Sequence, residues 1–340
     1  MRSLKALFLI TLACGMLAGC DKPVRLVSGG SVRFQSGSGP METRTAYSGV
    51  TGIEGDVKKE RIDWVENDRI TIWSDKAVYP GDASRKTCDY SVKDIVTSGV
   101  RSSAGLFPVA QGFQWGNESS GTVYSFYARY PADQTGIDGT SMSGEIPGVQ
   151  SVTWGAAGTA DEFVGKPSMA NAYMFAQATA EVNAESVTLE FYPKFTAFQF
   201  TVGCGENPEV TLTSFKLKSA SKPLAGAFLV ACSTGAVSSS STTKDVSVSL
   251  NKTLSGDQTL TFTVFALAKE TLDGLTIEFE GTPIGLRKLV LNDKNGQPVQ
   301  FAAGSKHIIS GISFPRYKTA EGEDILWDQE VYGEGIVWDN

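Results

Sequence analysis

Val187-Thr188-Leu189-Glu190-Phe191, then Pro193-Lys194, then Phe198-Gln199-Phe200-Thr201-Val202, is the stretch whose pattern decides the fold class. Apolar side chains fall at every second position, with Thr, Glu and Gln between them. That two-residue period belongs to a strand with one buried face. The pattern returns at Val246-Val248-Leu250, Leu260-Phe262-Val264, Leu275-Ile277-Phe279 and Leu289-Leu291. Turn residues separate the runs at Ser255-Gly256-Asp257, Asp273-Gly274 and Asn295-Gly296, where short polar side chains and glycine permit a tight reversal. Many short strands punctuated in this way predict an all-β sandwich. Ser238–Thr243 is read as a polar hairpin loop, since strands flank it closely.

Upstream the pattern is less regular. Ile62-Asp63-Trp64-Val65, Glu66-Asn67-Asp68-Arg69 and Ile70-Thr71-Ile72-Trp73 read as strand, tight turn, strand. Asp63, Glu66 and Asp68 are turn residues on this reading, because they lack the spacing of a calcium loop. Val123 to Tyr130 is a strand stopped by Pro131, which has no N–H to extend a ladder. Gly136 to Gly158 reads as a long loop holding Pro147 and Trp154. Met169 to Val182 is Ala-rich and fits a helix or a buried strand. The second series of strands starts after Ala184, which sets the expected division into domains at 45–184 and 185–315.

The chain opens with Met1-Arg2-Ser3-Leu4-Lys5, an apolar run from Ala6 to Leu17, and Leu17-Ala18-Gly19-Cys20. A charged start, a short apolar run and small residues at its end describe a signal peptide, residues 1–19. The terminal cysteine makes it resemble a bacterial lipoprotein signal, cut before an acylated Cys20. Residues 20–44 form a Gly/Ser-rich leader with weak strands near Val24–Leu26 and Val32–Phe34.

Apolar residues make up 41% of the 340, enough for real cores, and the mean hydropathy of −0.09 leaves no room for further spans. The formal charge of −7 becomes −9 when Arg2 and Lys5 leave with the signal, which carries no acid. An acidic chain without a basic cluster excludes nucleic acid as a partner. With Cys14 removed and Cys20 lipidated, Cys88, Cys204 and Cys232 remain. A Cys204–Cys232 disulfide and buried free thiols are both compatible with their wide spacing. No cofactor and no metal site is expected, since His307 is the only histidine and no two thiols are close.

Residues 316–340 behave differently. An acidic stretch leads to Ile325-Leu326-Trp327-Asp328 and, eleven positions on, to Ile336-Val337-Trp338-Asp339. Each buried Ile or Trp contributes about 1.5–3 kcal/mol, so this tail must dock. Ile325, Trp327, Val331, Ile336 and Trp338 are the candidate inward residues, either of a hairpin folded onto its own domain or of strands donated to a neighbour.

The lipoprotein start, Trp64 with Glu66–Ile70, Phe126-Tyr127-Ala128-Arg129-Tyr130-Pro131, Leu189-Glu190-Phe191 through Phe200-Thr201-Val202, and Phe301-Ala302-Ala303-Gly304-Ser305-Lys306 together resemble the fimbrillin-like proteins, pilus subunits of Bacteroidales-type bacteria. The resemblance runs from about residue 43 onward and rests on the order of short motifs. It implies two tandem transthyretin-like β-sandwich domains, export to the outer membrane as a lipoprotein, and head-to-tail polymerisation with other pilus subunits by strand exchange. In shaft subunits of the family an arginine-specific protease removes the leader with its first strand. Arg44-Thr45 is the matching cut here, with Arg33-Phe34 and Arg25-Leu26 less favoured.

The function implied is that of a structural subunit of a cell-surface fimbrium that supports adhesion. The alternative is a lipid-anchored glycan- or protein-binding module, with Trp115, Trp154 or Tyr173 as a stacking platform. An enzyme is not expected. No G-x-S-x-G, H-E-x-x-H or P-loop pattern occurs, and a triad would have to use His307, which sits in an apparent strand.

Overall fold

The computed structural model describes residues 30–37, 46–54, 57–98, 101–293, 295–314 and 333–336. In chain order the first strands are β1 (Phe34–Ser36), β2 (Ala46–Glu54), β3 (Val57–Asp63), β4 (Arg69–Ser74), β5 (Thr87–Ser98), β6 (Arg101–Pro108) and β7 (Val123–Tyr130). Next come β8 (Ser141–Ile146), β9 (Val149–Gln150), β10 (Val152–Trp154), β11 (Val164–Pro167), a single 3-10 turn at Met169–Asn171, β12 (Met174–Glu181), β13 (Val187–Leu189) and β14 (Phe191–Pro193). The rest are β15 (Phe195–Gly203), β16 (Glu209–Ser219), β17 (Gly226–Ala231), β18 (Val237–Ser238), β19 (Asp245–Ser255), β20 (Thr259–Leu267), β21 (Leu275–Thr282), β22 (Gly285–Val290), β23 (Lys306–Ser313) and β24 (Gly333–Ile336). The fold is all-β.

An eight-stranded sheet runs in the order β13-β1-β6-β5-β4-β7-β12-β14. Its two end strands are consecutive in the chain, with only Glu190 between them. The sheet therefore curls until its edges meet, and it encloses an aromatic-rich first core of Phe34, Trp64, Tyr90, Phe113, Trp115 and Phe126 with their neighbours. A six-stranded sheet (β10-β11-β20-β15-β23-β24) faces a five-stranded one (β22-β21-β16-β19-β9). Between them lies a second core centred on Phe200, Phe215, Phe262 and Phe279; Phe200 and Phe215 approach to 4.6 Å between ring centres.

A third core joins the two. β15 and β20 turn Phe198, Phe200, Phe262 and Val264 into the second core, yet Phe195, Ala197, Phe265 and Leu267 point the other way. The three-stranded sheet β18-β17-β8 covers this reverse face, and Phe175 of β12 reaches it from the first sheet. Phe195 and Phe265 meet at 4.5 Å. These strand ends are buried on both faces, so the one-sided alternation expected of them lapses there.

Several expectations need correction. The Lys58–Trp73 segment has its turn, in which Asp68 Oδ2 accepts the Val65 N–H at 2.8 Å, but the flanking strands do not pair with each other. β3 pairs with β2, and β4 lies between β5 and β7. Of the two readings open for Met169–Val182 the strand holds: beyond the 3-10 turn it is β12, paired along its length with β7. The stretch Gly136–Gly158 holds β8, β9 and β10 where a loop was expected. β9, β10 and β11 join sheets built mainly from strands after residue 194, whereas β13 and β14 close the first sheet. Of the two states open for the thiols the structure has the second: Cys88, Cys204 and Cys232 are all free and buried, with no Cys204–Cys232 disulfide.

Candidate functional site

The leader expectation converges on β1. In Gly30-Ser31-Val32-Arg33-Phe34-Gln35-Ser36-Gly37 the even positions Val32, Phe34 and Ser36 are buried and Ser31, Arg33 and Gln35 are exposed. The local alternation thus dictates which face enters the core. β1 is parallel to β13 on one side and antiparallel to β6 on the other. Main-chain bonds extend its hold: Val32 N–H donates to the Phe113 carbonyl at 2.9 Å, Trp115 N–H to the Gly30 carbonyl at 3.0 Å, Val187 N–H to the Arg33 carbonyl at 2.8 Å, and Gly37 N–H to the Leu189 carbonyl at 2.9 Å.

Phe34 fills the centre of the slot. Its ring meets Tyr90 and Phe126 edge-on, each at 5.1 Å. Burying it contributes about 1.5–3 kcal/mol, and both ring pairs have the geometry aromatic quadrupoles favour. Two positions on, the Ser36 hydroxyl oxygen accepts the Trp64 indole N–H at 3.0 Å and the Ala104 amide at 2.8 Å. On the outer face Gln35 Nε2 donates to the Thr188 hydroxyl at 2.9 Å. β1 lies wholly on the N-terminal side of Arg44.

At the other end of the chain, β24 pairs antiparallel with β23, Ile336 opposite Lys306 and Gly333 opposite Ile309. Within the single chain this strand borders the six-stranded sheet. Cys20, Arg44, Thr45, Ile325, Trp327, Val331 and Trp338 lie outside the described residues, as does the weak strand expected at Val24–Leu26.

The aromatic residues considered as a sugar platform are scattered. Trp115 is buried in the first core, edge-on to Tyr124 at 5.0 Å. Trp154 is half-buried against the second core, with the Lys252 ammonium 5.4 Å from its ring centre. Tyr173 packs edge-on against Phe228 at 5.2 Å in the third core. His307 sits between the rings of Phe198 and Phe301, with Nε2 3.0 Å from the Ala302 carbonyl. Burial pushes its pKa below the ordinary imidazole value, and the bond to Ala302 works against that.

Two features were not foreseen from sequence. One is the Ser36–Trp64 contact, since nothing local marks a leader serine as the partner of a distant indole. The other is Arg129, which is only 3% exposed and is held by Asp133 at 3.3 Å and the Pro131 carbonyl at 3.0 Å, with Tyr173 5.8 Å away. Burial lowers its pKa and Asp133 opposes the change. The carboxylate offsets a charge that would otherwise be costly inside. Around it, Phe126 and Ala128 face the first core and Tyr127 the third, which explains physically why the Phe126–Pro131 motif has this composition.

No family model matches the chain, and no curated protein matches it. Solved structures do match. A "putative cell adhesion protein" from Bacteroides uniformis aligns with a TM-score of 0.51 at 13% identity, over 90% of this chain and 96% of that one. The two share a fold. A second protein described in the same words, from Bacteroides ovatus, gives 0.49 at 16% identity over 92% and 99%. A tip fimbrial protein from Porphyromonas gingivalis, with a C-terminal truncation, gives 0.43 at 8% over 91% and 100%.

Proposed function

We propose that this chain is a structural subunit of a cell-surface fimbrium that supports adhesion, with no chemistry of its own. It is exported as an outer-membrane lipoprotein through Cys20, and β1 is the strand that leaves when the chain is cut at Arg44-Thr45. The slot between β6 and β13 then takes a strand from the next subunit. Each subunit both donates and accepts, so the contact is heterologous and builds a filament.

The observation that carries this reading is the placement of β1. A three-residue strand, upstream of the candidate cut, fills a slot between two strands from later in the chain and buries Phe34 at its centre. Its loss leaves unpaired N–H and C=O groups along an apolar cleft, and a donated strand satisfies both needs at once.

N-terminal sequencing of the surface polymer tests it. The expected start is Thr45. A polymer that starts at acylated Cys20 and retains residues 30–37 rules out exchange at this slot. Deleting Glu321–Asn340 is expected to abolish the polymer while leaving the monomer folded.

A further inference from the structure

Of the three side chains that β1 and the residues just before it turn inward, Val32 and Phe34 are apolar and Ser36 is not. The Ser36 hydroxyl serves two donors, the Trp64 indole and the Ala104 amide, and its own hydrogen faces the Ala104 carbonyl at 3.4 Å. Ser36, Trp64 and Ala104 are 2%, 3% and 4% exposed. The Trp64 ring is pinned edge-on by Phe191 at 5.5 Å and Tyr130 at 6.0 Å, so the indole cannot swing its N–H to water. When β1 leaves, both donors face an apolar cleft with no acceptor. A strand with only apolar inward residues would bury them unsatisfied.

We infer that the slot selects its strand: the replacement for β1 must place a hydrogen-bond acceptor where Ser36 stands, and a bulky apolar side chain two positions before it, where Phe34 stands. This rests on the strand-exchange reading above. The occupant is the C-terminal segment of a second copy. There, Leu326-Trp327-Asp328 carries an apolar residue two positions before a carboxylate, and Val337-Trp338-Asp339 repeats the spacing. Leu326 takes the place of Phe34, and Asp328 accepts from both N–H groups as a charge-assisted partner. This register differs by one residue from the one with Ile325 and Trp327 inward, and a one-residue shift exchanges the faces of the whole strand.

Two measurements test the inference. In the full chain, exchange of the Trp64 indole proton is followed by NMR in Ser36→Ala and Ser36→Thr. The expected result is about tenfold or more faster exchange in Ser36→Ala and recovery in Ser36→Thr. Unchanged protection in Ser36→Ala overturns the inference.

Separately, a specific protease site placed between residues 38 and 43 nicks the chain. Synthetic peptides of residues 322–331 then compete with a labelled peptide of residues 30–37. Asp328→Ala in the peptide is expected to weaken competition about tenfold or more, and Trp327→Ala much less. The reverse order overturns the register and the selectivity. If an unlabelled 30–37 peptide fails to exchange with the labelled one, strand exchange at this slot fails and takes the inference with it. A working 30–37 exchange with no effect of Asp328→Ala refutes the inference alone.

Discussion

The side-chain amide of Gln150 makes both main-chain hydrogen bonds of Phe265. Its Nε2 donates to the Phe265 carbonyl at 2.7 Å, and its Oε1 accepts the Phe265 N–H at 2.9 Å. β11 accompanies β20 only as far as Phe262, so beyond that point one edge of β20 has no strand beside it among the described residues. Gln150, on β9 of the facing sheet, stands in for the missing ladder and ties the two sheets together.

Replacing Gln150 by Leu removes this stand-in and leaves two buried main-chain groups without partners. The expected loss is about 2 kcal/mol, read as a lower urea midpoint with an unchanged slope. An unaltered midpoint would mean that water reaches Phe265 in the folded state.

His307 sets the acid response near neutrality. Burial holds its pKa below the ordinary 6.5, so the fold prefers the neutral ring. Its contribution to stability is present above pH 6.5 and is lost as pH falls toward the folded value. His307→Gln, which cannot titrate, is expected to flatten the pH 5–7 part of the stability profile. No other histidine can take over that region.

The three thiols should be silent in the native state. Burial pushes Cys88 up to about 11 and Cys232 up to about 12, and raises Cys204, from the ordinary 9.0. Thiolate, the reactive form, is scarce at pH 8. Iodoacetamide should label Cys88, Cys204 and Cys232 only after denaturant is added, as read by peptide mass. Because the fold favours the protonated thiols, the contribution of Cys88 and Cys232 is present below pH 9 and is lost as pH rises toward 11–12.

Gly139 and Gly158 both have positive φ, +82° and +78°, but only Gly139 is crowded. A Cβ there would stand 2.2 Å from the Trp73 ring, whereas Gly158 has nothing within 4 Å. Gly158→Ala should cost about 1–2 kcal/mol for its backbone alone. Gly139→Ala should cost about 1–3 kcal/mol more for the clash. Equal thermal shifts would mean that the loop moves off Trp73 freely.

Several strands with one solvated face were legible in the sequence. Val246–Leu250, Leu275–Phe279 and Val123–Tyr130 follow their alternation or their proline stop, and β19, β21 and β7 lie where those signals put them. β12 was ambiguous because Met174 and Phe175, adjacent in the chain, are both buried, one in the first core and the other in the third. β8 to β11 were missed since each is short and is held by a partner far along the chain, such as β17 for β8. The apparent hairpin at Glu66–Arg69 shows the same limit: the turn is local chemistry, but the partners of β3 and β4 are not.

By itself the amino-acid sequence determined the all-β class, several of the turns and, in the strands read from alternation, which side chains face inward, because side-chain alternation and turn chemistry act within a few residues. Tertiary structure alone decided which strands pair, how the first sheet closes on itself through β13 and β14, and that Ser36 serves Trp64. Those relations join residues far apart in sequence, and their energy comes from burial and hydrogen bonding that exist only once the chain has brought them together.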